Sequence, residues 1–217
     1  MKRYLRRLIQ LFPTFVLVFG FVAHAGQSSA LGQTNDQSDE IDSYLQTLTD
    51  HGFSGSVLVA IDGEIIIAEG YGLADDANQI VNTVETVFDT GSLSKQFTAA
   101  AIIHLVETGQ LRLSDTLADI FDDVPADKAE ITIHQLLTHS SGLRDYVYDG
   151  AYQLERNEAV QRAFDAPLVL EPGERYLYSD TGYGVLATIV ELVSGQTFQE
   201  YLHEHLFSPA DMQHTGF

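Results

Sequence analysis

Two side chains one helical turn apart, Ser92 and Lys95, could together perform nucleophilic chemistry. They lie in the segment Gly91-Ser-Leu-Ser-Lys-Gln-Phe-Thr98, at the start of a predicted helix over residues 92–107. A serine hydroxyl is a weak nucleophile until a base takes its proton, and a buried lysine can be that base, since desolvation favours its neutral form. Free N–H groups at the helix N-terminus would stabilise an oxyanion formed next to Ser92.

The alternative interpretation is a capping serine followed by a surface lysine, because the pattern Ser-x-x-Lys is common by chance. The lysine content argues against that interpretation. Beyond residue 25 the chain has two lysines, Lys95 and Lys128, and Lys95 falls in a helix rich in Ala, Ile and Leu. A charge in such a helix costs free energy unless it is paired or used. The pattern therefore favours a nucleophilic role for Ser92 without establishing it alone.

The elements that would position these residues are predicted to be a helix, a hairpin and then a run of helices. Apolar residues at Ile41, Tyr44, Leu45 and Leu48 have the spacing of an amphipathic helix. Asp62-Gly63 between the apolar runs 57–61 and 65–68 indicates a two-residue hairpin turn. Further helices are predicted over residues 132–137, 158–164, 181–193 and 197–207, with capping boxes at Thr132 and Thr197. A lone hairpin is marginal in water, so we expect part of the sheet to be missing from this chain.

Five segments resemble motifs of one family, the class C β-lactamase and D-alanyl-D-alanine carboxypeptidase group of serine hydrolases. They are Phe88-Asp-Thr-Gly-Ser-Leu-Ser-Lys-Gln-Phe-Thr-Ala-Ala-Ala101, Leu136-Leu-Thr-His-Ser-Ser-Gly-Leu143, Glu171-Pro-Gly-Glu174, Tyr178-Ser-Asp-Thr-Gly-Tyr183 and Met212-Gln-His-Thr-Gly-Phe217. The resemblance covers residues 40–217 in the family's order. It implies an α+β, β-lactamase/transpeptidase-like fold, with an antiparallel sheet flanked by helices, a helical subdomain, and Ser92 at their junction. The family's C-terminal strands, with its third motif, would be missing from this chain.

The resemblance also implies roles for further residues. Tyr178 would lie near Ser92 and Lys95 and shuttle protons. Asp180 stands where the family commonly has Asn; if ionised it would bind Lys95 and keep it charged, and if protonated it could mimic Asn. Arg144, Asp145 and Tyr146 are predicted to line the substrate cleft.

Two other histidine-containing stretches have less reactive interpretations. The segment His139-Ser-Ser-Gly142 would be a structural loop by family likeness, and the chain contains no Gly-x-Ser-x-Gly elbow. The segment His203-Glu-His205 is interpreted as a solvated helix end, because residues at i and i+2 point to different helix faces.

The implied reaction is acyl transfer through a covalent acyl-enzyme with Ser92 as nucleophile and with no metal or cofactor. Substrates would be a β-lactam, a D-alanyl peptide, another D-amino-acid peptide or an ester, and the sequence does not choose among them. The alternative is a non-catalytic scaffold or an inactive fragment that keeps the fold, since Asp180 departs from the motif and the third motif is missing. The oligomeric state is left open.

The first 25 residues have the organisation of a cleaved signal peptide. Lys2, Arg3, Arg6 and Arg7 precede a mostly apolar run over residues 8–22, and Ala23-His-Ala25 has the form of a cleavage site. A membrane anchor is the alternative, but Gln10 and Pro13 interrupt the apolar run. We therefore predict export to the periplasm or the extracellular space, with a polar linker over residues 26–39, a hydrolase domain over 40–217 and no stable membrane span after cleavage.

Charge and cysteine content limit the partners. The chain has 217 residues, a net charge of −20 and no cysteine. Residues 1–25 hold four basic and no acidic residues, so their removal makes the charge −24. Such a surface repels nucleic acid and anionic lipid, and the absence of cysteine excludes a disulfide framework.

Overall fold

The computed structural model describes the backbone of residues 30–145 and 156–217, with side chains from residue 37 and residue 158 onward in these two ranges. The chain divides into two compact units, Met1–Phe88 and Asp89–Phe217. The predicted signal peptide lies outside the described residues, as does Tyr146. The extent of the hydrolase domain, residues 40–217, stays a prediction.

Helix α1 of the first unit spans Ala30–Asp50. It includes the amphipathic segment predicted from Ile41 to Leu48, but it begins eleven residues earlier. The linker over residues 26–39 stays a prediction, and its part from residue 30 onward is helical. Polar residues cost less than about 0.7 kcal/mol each in a helix relative to Ala, so a helix can extend through a polar stretch that lacks proline.

The hairpin predicted around Asp62-Gly63 is confirmed. Strands β1 (Gly55–Ile61) and β2 (Glu64–Tyr71) pair antiparallel from Gly55–Tyr71 to Ile61–Glu64. Asp62 and Gly63 have φ values of 51° and 86°, which is the two-residue turn that matches strand twist. A second two-stranded sheet, β3 (Leu73–Asp75) with β4 (Ile80–Val81), was not predicted from the sequence.

The first unit has a small buried apolar cluster, formed by Leu45 of α1 with Ile67 and Tyr71 of β2. The Tyr71 hydroxyl donates a hydrogen bond to Asp42 at 2.8 Å, which ties the strand to the helix. Leu58 and Ile65 on the hairpin are more than three-fifths exposed. The apolar surface of this unit is thus only partly covered within the described residues.

The second unit is helical around one buried core. Its helices are α2 (Lys95–Glu107), α3 (Leu117–Ile120), α4 (Ile133–Leu137), α5 (Arg156–Asp165), α6 (Asp180–Ser194) and α7 (Phe198–Leu202). A four-residue 3₁₀ helix, Gly91–Ser94, precedes α2, and a π-helical turn, His203–Phe207, follows α7. Ile102 and Leu105 of α2 and Leu186 and Ile189 of α6 are completely buried in the shared core.

Local signals in the sequence set several helix ends. Thr132 and Thr197 each accept a hydrogen bond from the backbone N–H three residues on, and both predicted capping boxes are confirmed. Gly195 ends α6 in the left-handed conformation with φ of 74°. A third capping box, at Thr116 and Asp119, was not predicted.

The described residues combine these helices with small antiparallel sheets, as expected for an α+β protein. None of the helices in the described ranges combines the length and apolarity that a bilayer crossing needs.

Candidate active site

Ser92 lies in the 3₁₀ helix that leads into α2. Two hydrogen bonds from backbone N–H groups fix the turn: the Gly91 N–H donates to the Asp89 carboxylate at 2.8 Å, and the Leu93 N–H donates to the Thr90 carbonyl at 3.1 Å. The Ser94 hydroxyl is used locally, donating to the Gly91 carbonyl at 2.7 Å. Ser92 is exposed, so its hydroxyl is accessible to a substrate.

The Ser92 hydroxyl meets side chains from two other positions. Its Oγ lies 2.9 Å from the Tyr178 Oη, across 86 residues of sequence. The Lys95 Nζ donates to the same Oγ at 3.4 Å, close to the limit for a hydrogen bond. The structure therefore brings together the three residues predicted to be catalytic.

Asp180, the first residue of α6, forms an ion pair with Lys95, and both side chains are about four-fifths buried. Two tyrosine rings also face the ammonium group, with Nζ 5.0 Å from the ring centre of Tyr178 and 5.7 Å from that of Tyr183. Such cation–π contacts favour the charged form of a lysine. Burial alone would lower the pKa of Lys95, but the hydrogen bonds and charges of Asp180 and Tyr178 outweigh burial and raise this pKa above its ordinary value.

Asp145 and Arg144 hold the start of α6 in place. The Asp180 N–H donates to the Asp145 carboxylate at 2.9 Å, and the Asp145 carbonyl accepts from both the N–H and the hydroxyl of Thr181. The Ser179 hydroxyl donates to the Arg144 carbonyl at 3.0 Å and accepts from the Gly182 N–H. These contacts position Asp180 against Lys95. The Arg144 side chain is exposed, and the predicted substrate-binding role of Arg144, Asp145 and Tyr146 stays a prediction.

His139 belongs to this site, although the sequence predicted only a structural loop there. Its ring stacks on Tyr178 with 4.6 Å between ring centres and lies 4.9 Å from the ring centre of Tyr183. Sequence spacing could not indicate this contact, because His139 and Tyr178 are 39 positions apart. The loop that carries His139 is closely packed: a Cβ on Gly142 would lie 2.1 Å from the Leu170 carbonyl oxygen, so this position accepts only glycine.

Among the described residues, no group of three or more His, Asp or Glu side chains converges in a way that could hold a metal ion. His203 and Glu204 are exposed, as expected for a solvated helix end. His205 differs from that expectation, because its ring packs on those of His104 and Tyr201. The helical turn places His205 on the side that faces α2.

Comparison with known proteins matches residues 41–217 to the family described as Beta-lactamase. The chain belongs to the beta-lactamase family. A penicillin-binding protein of Bacillus subtilis (strain 168) is 34% identical over 185 residues, which make up 79% of this chain and 41% of that protein. An octameric penicillin-binding protein homologue from Pyrococcus abyssi superposes with a TM-score of 0.67 at 30% identity, over 85% of this chain and 44% of its own.

A third similar protein is the D-amino acid amidase of Ochrobactrum anthropi SV3, with a TM-score of 0.70 at 26% identity, over 80% of this chain and 49% of its own. The chain spans less than half the length of the curated relatives it matches. The fold is of the β-lactamase/transpeptidase type, and the family is one of serine hydrolases related to penicillin-binding proteins.

Proposed function

We propose that this protein is a serine hydrolase that works through a covalent acyl-enzyme on Ser92. The observation that carries the proposal is the convergence on one oxygen: the Ser92 Oγ has the Tyr178 Oη at 2.9 Å and the Lys95 Nζ at 3.4 Å. Covalent catalysis uses this arrangement: the nucleophile lies within hydrogen-bond reach of a base, and a third group orients that base.

Tyr178 is the base in this proposal, and Lys95 stays protonated. An ammonium group has no lone pair, so a charged Lys95 cannot take the proton of Ser92. The ion pair with Asp180 and the two tyrosine rings favour that charged form. Tyr178 accepts the proton as a phenolate, which the neighbouring ammonium group stabilises. Asp180 thereby affects which residue acts as the base. Of its two possible forms, ionised and protonated, the ion pair with Lys95 supports the ionised form.

The proton balance closes over one catalytic cycle. Ser92 Oγ bonds to the substrate's acyl carbon while its proton passes to Tyr178. The bond to the leaving group then breaks, and the leaving amine or alcohol takes that proton. Water attacks the acyl-enzyme by the same route, and the acid product leaves with Ser92 and the Tyr178 phenolate restored. Ser92 lies in the turn that precedes the N-terminus of α2, where the helix dipole would favour the negative charge of an oxyanion.

The substrate is an ester or an amide of a small acyl group, including β-lactams and D-amino-acid derivatives. The names of the similar proteins support this range, because they include penicillin-binding proteins and a D-amino acid amidase. The exposure of Ser92 is compatible with acyl groups of several sizes.

Hydrolysis of a small panel tests the function: a p-nitrophenyl ester, a chromogenic cephalosporin and a D-alanine p-nitroanilide, each with the wild-type chain and with Ser92→Ala. We expect at least one substrate to show a burst followed by slower turnover, which is the kinetic signature of an acyl-enzyme. The burst should be lost in Ser92→Ala. No turnover of any substrate by a folded wild-type chain would favour a non-catalytic scaffold.

We also propose that the protein is exported and that its first 25 residues are removed. The basic start, the apolar run and Ala23-His-Ala25 support this proposal. N-terminal sequencing of protein recovered from the periplasm or medium should begin at Gly26. Recovery of uncleaved protein in the cytoplasm alone would contradict export.

A further inference from the structure

His139 contacts the backbone of the residues before and after Tyr178, and it also contacts the Tyr178 ring. The Leu177 N–H donates to the His139 carbonyl at 2.7 Å, and the Ser179 N–H donates to the His139 Nδ1 at 3.1 Å. The imidazole ring stacks on the Tyr178 ring at an interplanar angle of 30°. One residue therefore binds the residue before Tyr178, the residue after it and the tyrosine ring itself.

We infer that His139 is the positioning residue of Tyr178, which it holds against Ser92 as a neutral imidazole. The inference rests on the proposed function, since it assigns His139 a part in proton transfer through Tyr178. A displacement of about 1 Å in a catalytic group can cost about 100-fold in rate, so three contacts on one peptide segment have a direct catalytic value.

Only the neutral ring with its proton on Nε2 can accept the hydrogen bond from the Ser179 N–H. A protonated imidazole donates from both nitrogens, so Nδ1 could no longer accept from the Ser179 N–H. Several charged or titratable groups face the ring: Lys95 from α2, Asp180 from α6, Asp145 from the preceding loop, and the tyrosines 176, 178 and 183. Burial and the charge of Lys95 lower the pKa of His139, although Asp180 and Asp145 act in the opposite direction. The site thus favours the neutral form.

The backbone at His139 supports a specialised role. Its φ is 54°, in the left-handed region that non-glycine residues seldom occupy. Asn tolerates this conformation better than most residues and carries an acceptor oxygen, whereas Phe supplies a ring without an acceptor. These two substitutions separate the hydrogen bond from the stacking contact.

The kinetic test measures labelling of the full chain by a fluorophosphonate between pH 4.5 and 9 in the wild type, His139→Asn and His139→Phe. The matched control is His134→Asn, an exposed histidine at the second position of α4. We expect the maximal labelling rate to fall roughly 10-fold in His139→Asn and roughly 100-fold in His139→Phe, with little change in reagent affinity and none in the control.

The pH profile distinguishes positioning from general structural support. Protonation of His139 removes the acceptor of the Ser179 N–H, so below the midpoint of His139 the wild-type labelling rate should fall more steeply with decreasing pH than the rate of His139→Asn, since Asn does not titrate. A wild-type profile no steeper than that of His139→Asn would overturn the inference.

A measurement without catalysis keeps the inference testable if the proposed function fails. Imidazole ¹⁵N resonances should show His139 protonated at Nε2, with a titration midpoint below that of an ordinary histidine, and the Tyr178 ring carbon resonance should move with that titration. Absence of a Ser92 adduct together with this coupling would refute the function alone. A proton on Nδ1, or a Tyr178 resonance indifferent to His139, would refute the positioning role.

Discussion

The two units of the chain differ in how much apolar surface they bury. Of the described residues, nineteen form the buried cluster of the unit Asp89–Phe217, whereas three form that of the unit Met1–Phe88. In the second unit, α2 and α6 share the core and also carry Lys95 and its ion-pair partner Asp180. In the first unit, apolar side chains such as Leu58 and Ile65 remain largely exposed.

This difference indicates which unit can hold the candidate catalytic side chains in a precise geometry. Ser92, Lys95, Tyr178, Asp180 and His139 all belong to the densely packed unit. A catalytic group must keep its geometry to within about half an ångström, and closely packed helices resist the displacement of the side chains they carry. Substitutions should therefore have their largest effects at the site, smaller ones in the core of the second unit, and the smallest on the hairpin of the first.

The largest effect is expected from Tyr178→Phe, which removes the proposed base and keeps the ring that stacks on His139. We expect acylation of Ser92 to slow by about 100- to 10,000-fold, as general-base catalysis typically contributes. Stopped-flow labelling measures the rate, and Tyr176→Phe, an exposed tyrosine two residues earlier, is the control. A loss below roughly 10-fold would assign the base elsewhere.

The core of the second unit should be sensitive to cavities. Ile102→Ala removes a completely buried side chain from α2, and we expect a loss of about 2–5 kcal/mol in the free energy of unfolding. The adjacent Ile103, 40% exposed on the same helix, is the matched control and should cost much less.

The same measurement compares the buried clusters of the two units. Ile67→Ala in β2 removes a side chain from the smaller cluster of the first unit, so its cost should lie at or below the lower end of that range. Denaturant titration measures all three variants. A larger loss of unfolding free energy in Ile67→Ala than in Ile102→Ala would contradict the smaller contribution assigned to the first unit's cluster.

Asp180→Asn should move the alkaline limit of activity to lower pH. The raised pKa of Lys95 depends on Asp180, so removing the carboxylate lowers that pKa and brings the alkaline loss of activity to a lower pH. The pH profile of kcat/KM measures this alkaline limb, and a limb that stays in place or moves to higher pH would contradict the role assigned to Asp180.

The ion pair predicts a matching effect on stability. Because the pKa of Lys95 is raised on folding, the stabilisation is complete below the ordinary lysine pKa and is lost as pH rises through the folded value. In Asp180→Asn the decline of unfolding free energy at alkaline pH should therefore be less steep than in the wild type.

The smallest effect is expected on the hairpin. Leu58 in β1 is 64% exposed, and Thr is well suited to strands, so Leu58→Thr should change the free energy of unfolding by less than about 0.5 kcal/mol. Thermal or denaturant unfolding measures the change. A loss comparable to that of Ile102→Ala would show that Leu58 is buried in solution.

Local signals predicted much of the fold. The hairpin turn at Asp62-Gly63, the capping boxes at Thr132 and Thr197 and the end of α6 at Gly195 depend on neighbouring residues, so they can be read from short windows. The sequence did not predict the early start of α1 or the pair β3–β4, where polar residues allow several conformations.

Sequence motifs predicted only part of the candidate site. The spacing of Ser92 and Lys95 indicated a shared helix face, and family resemblance placed Tyr178 beside them; the structure brings all three together. The stacking of His139 on Tyr178 and the position of Tyr183 over Lys95 were not predicted. Those contacts join residues 39 to 88 positions apart, and only the packing of the loop and α6 against α2 creates them.

Mapping the covalent adduct tests the central claim, that Ser92 is the nucleophile of an acylation centre in the unit Asp89–Phe217. The folded wild-type chain is incubated with a fluorophosphonate and with a penicillin, and the modified residue is located by peptide mass spectrometry. We predict a single adduct on Ser92 that is absent from Ser92→Ala, while Ser94→Ala is labelled like the wild type, since the Ser94 hydroxyl donates to the Gly91 carbonyl of its own turn. An adduct on another residue, or labelling that survives Ser92→Ala, would contradict the account.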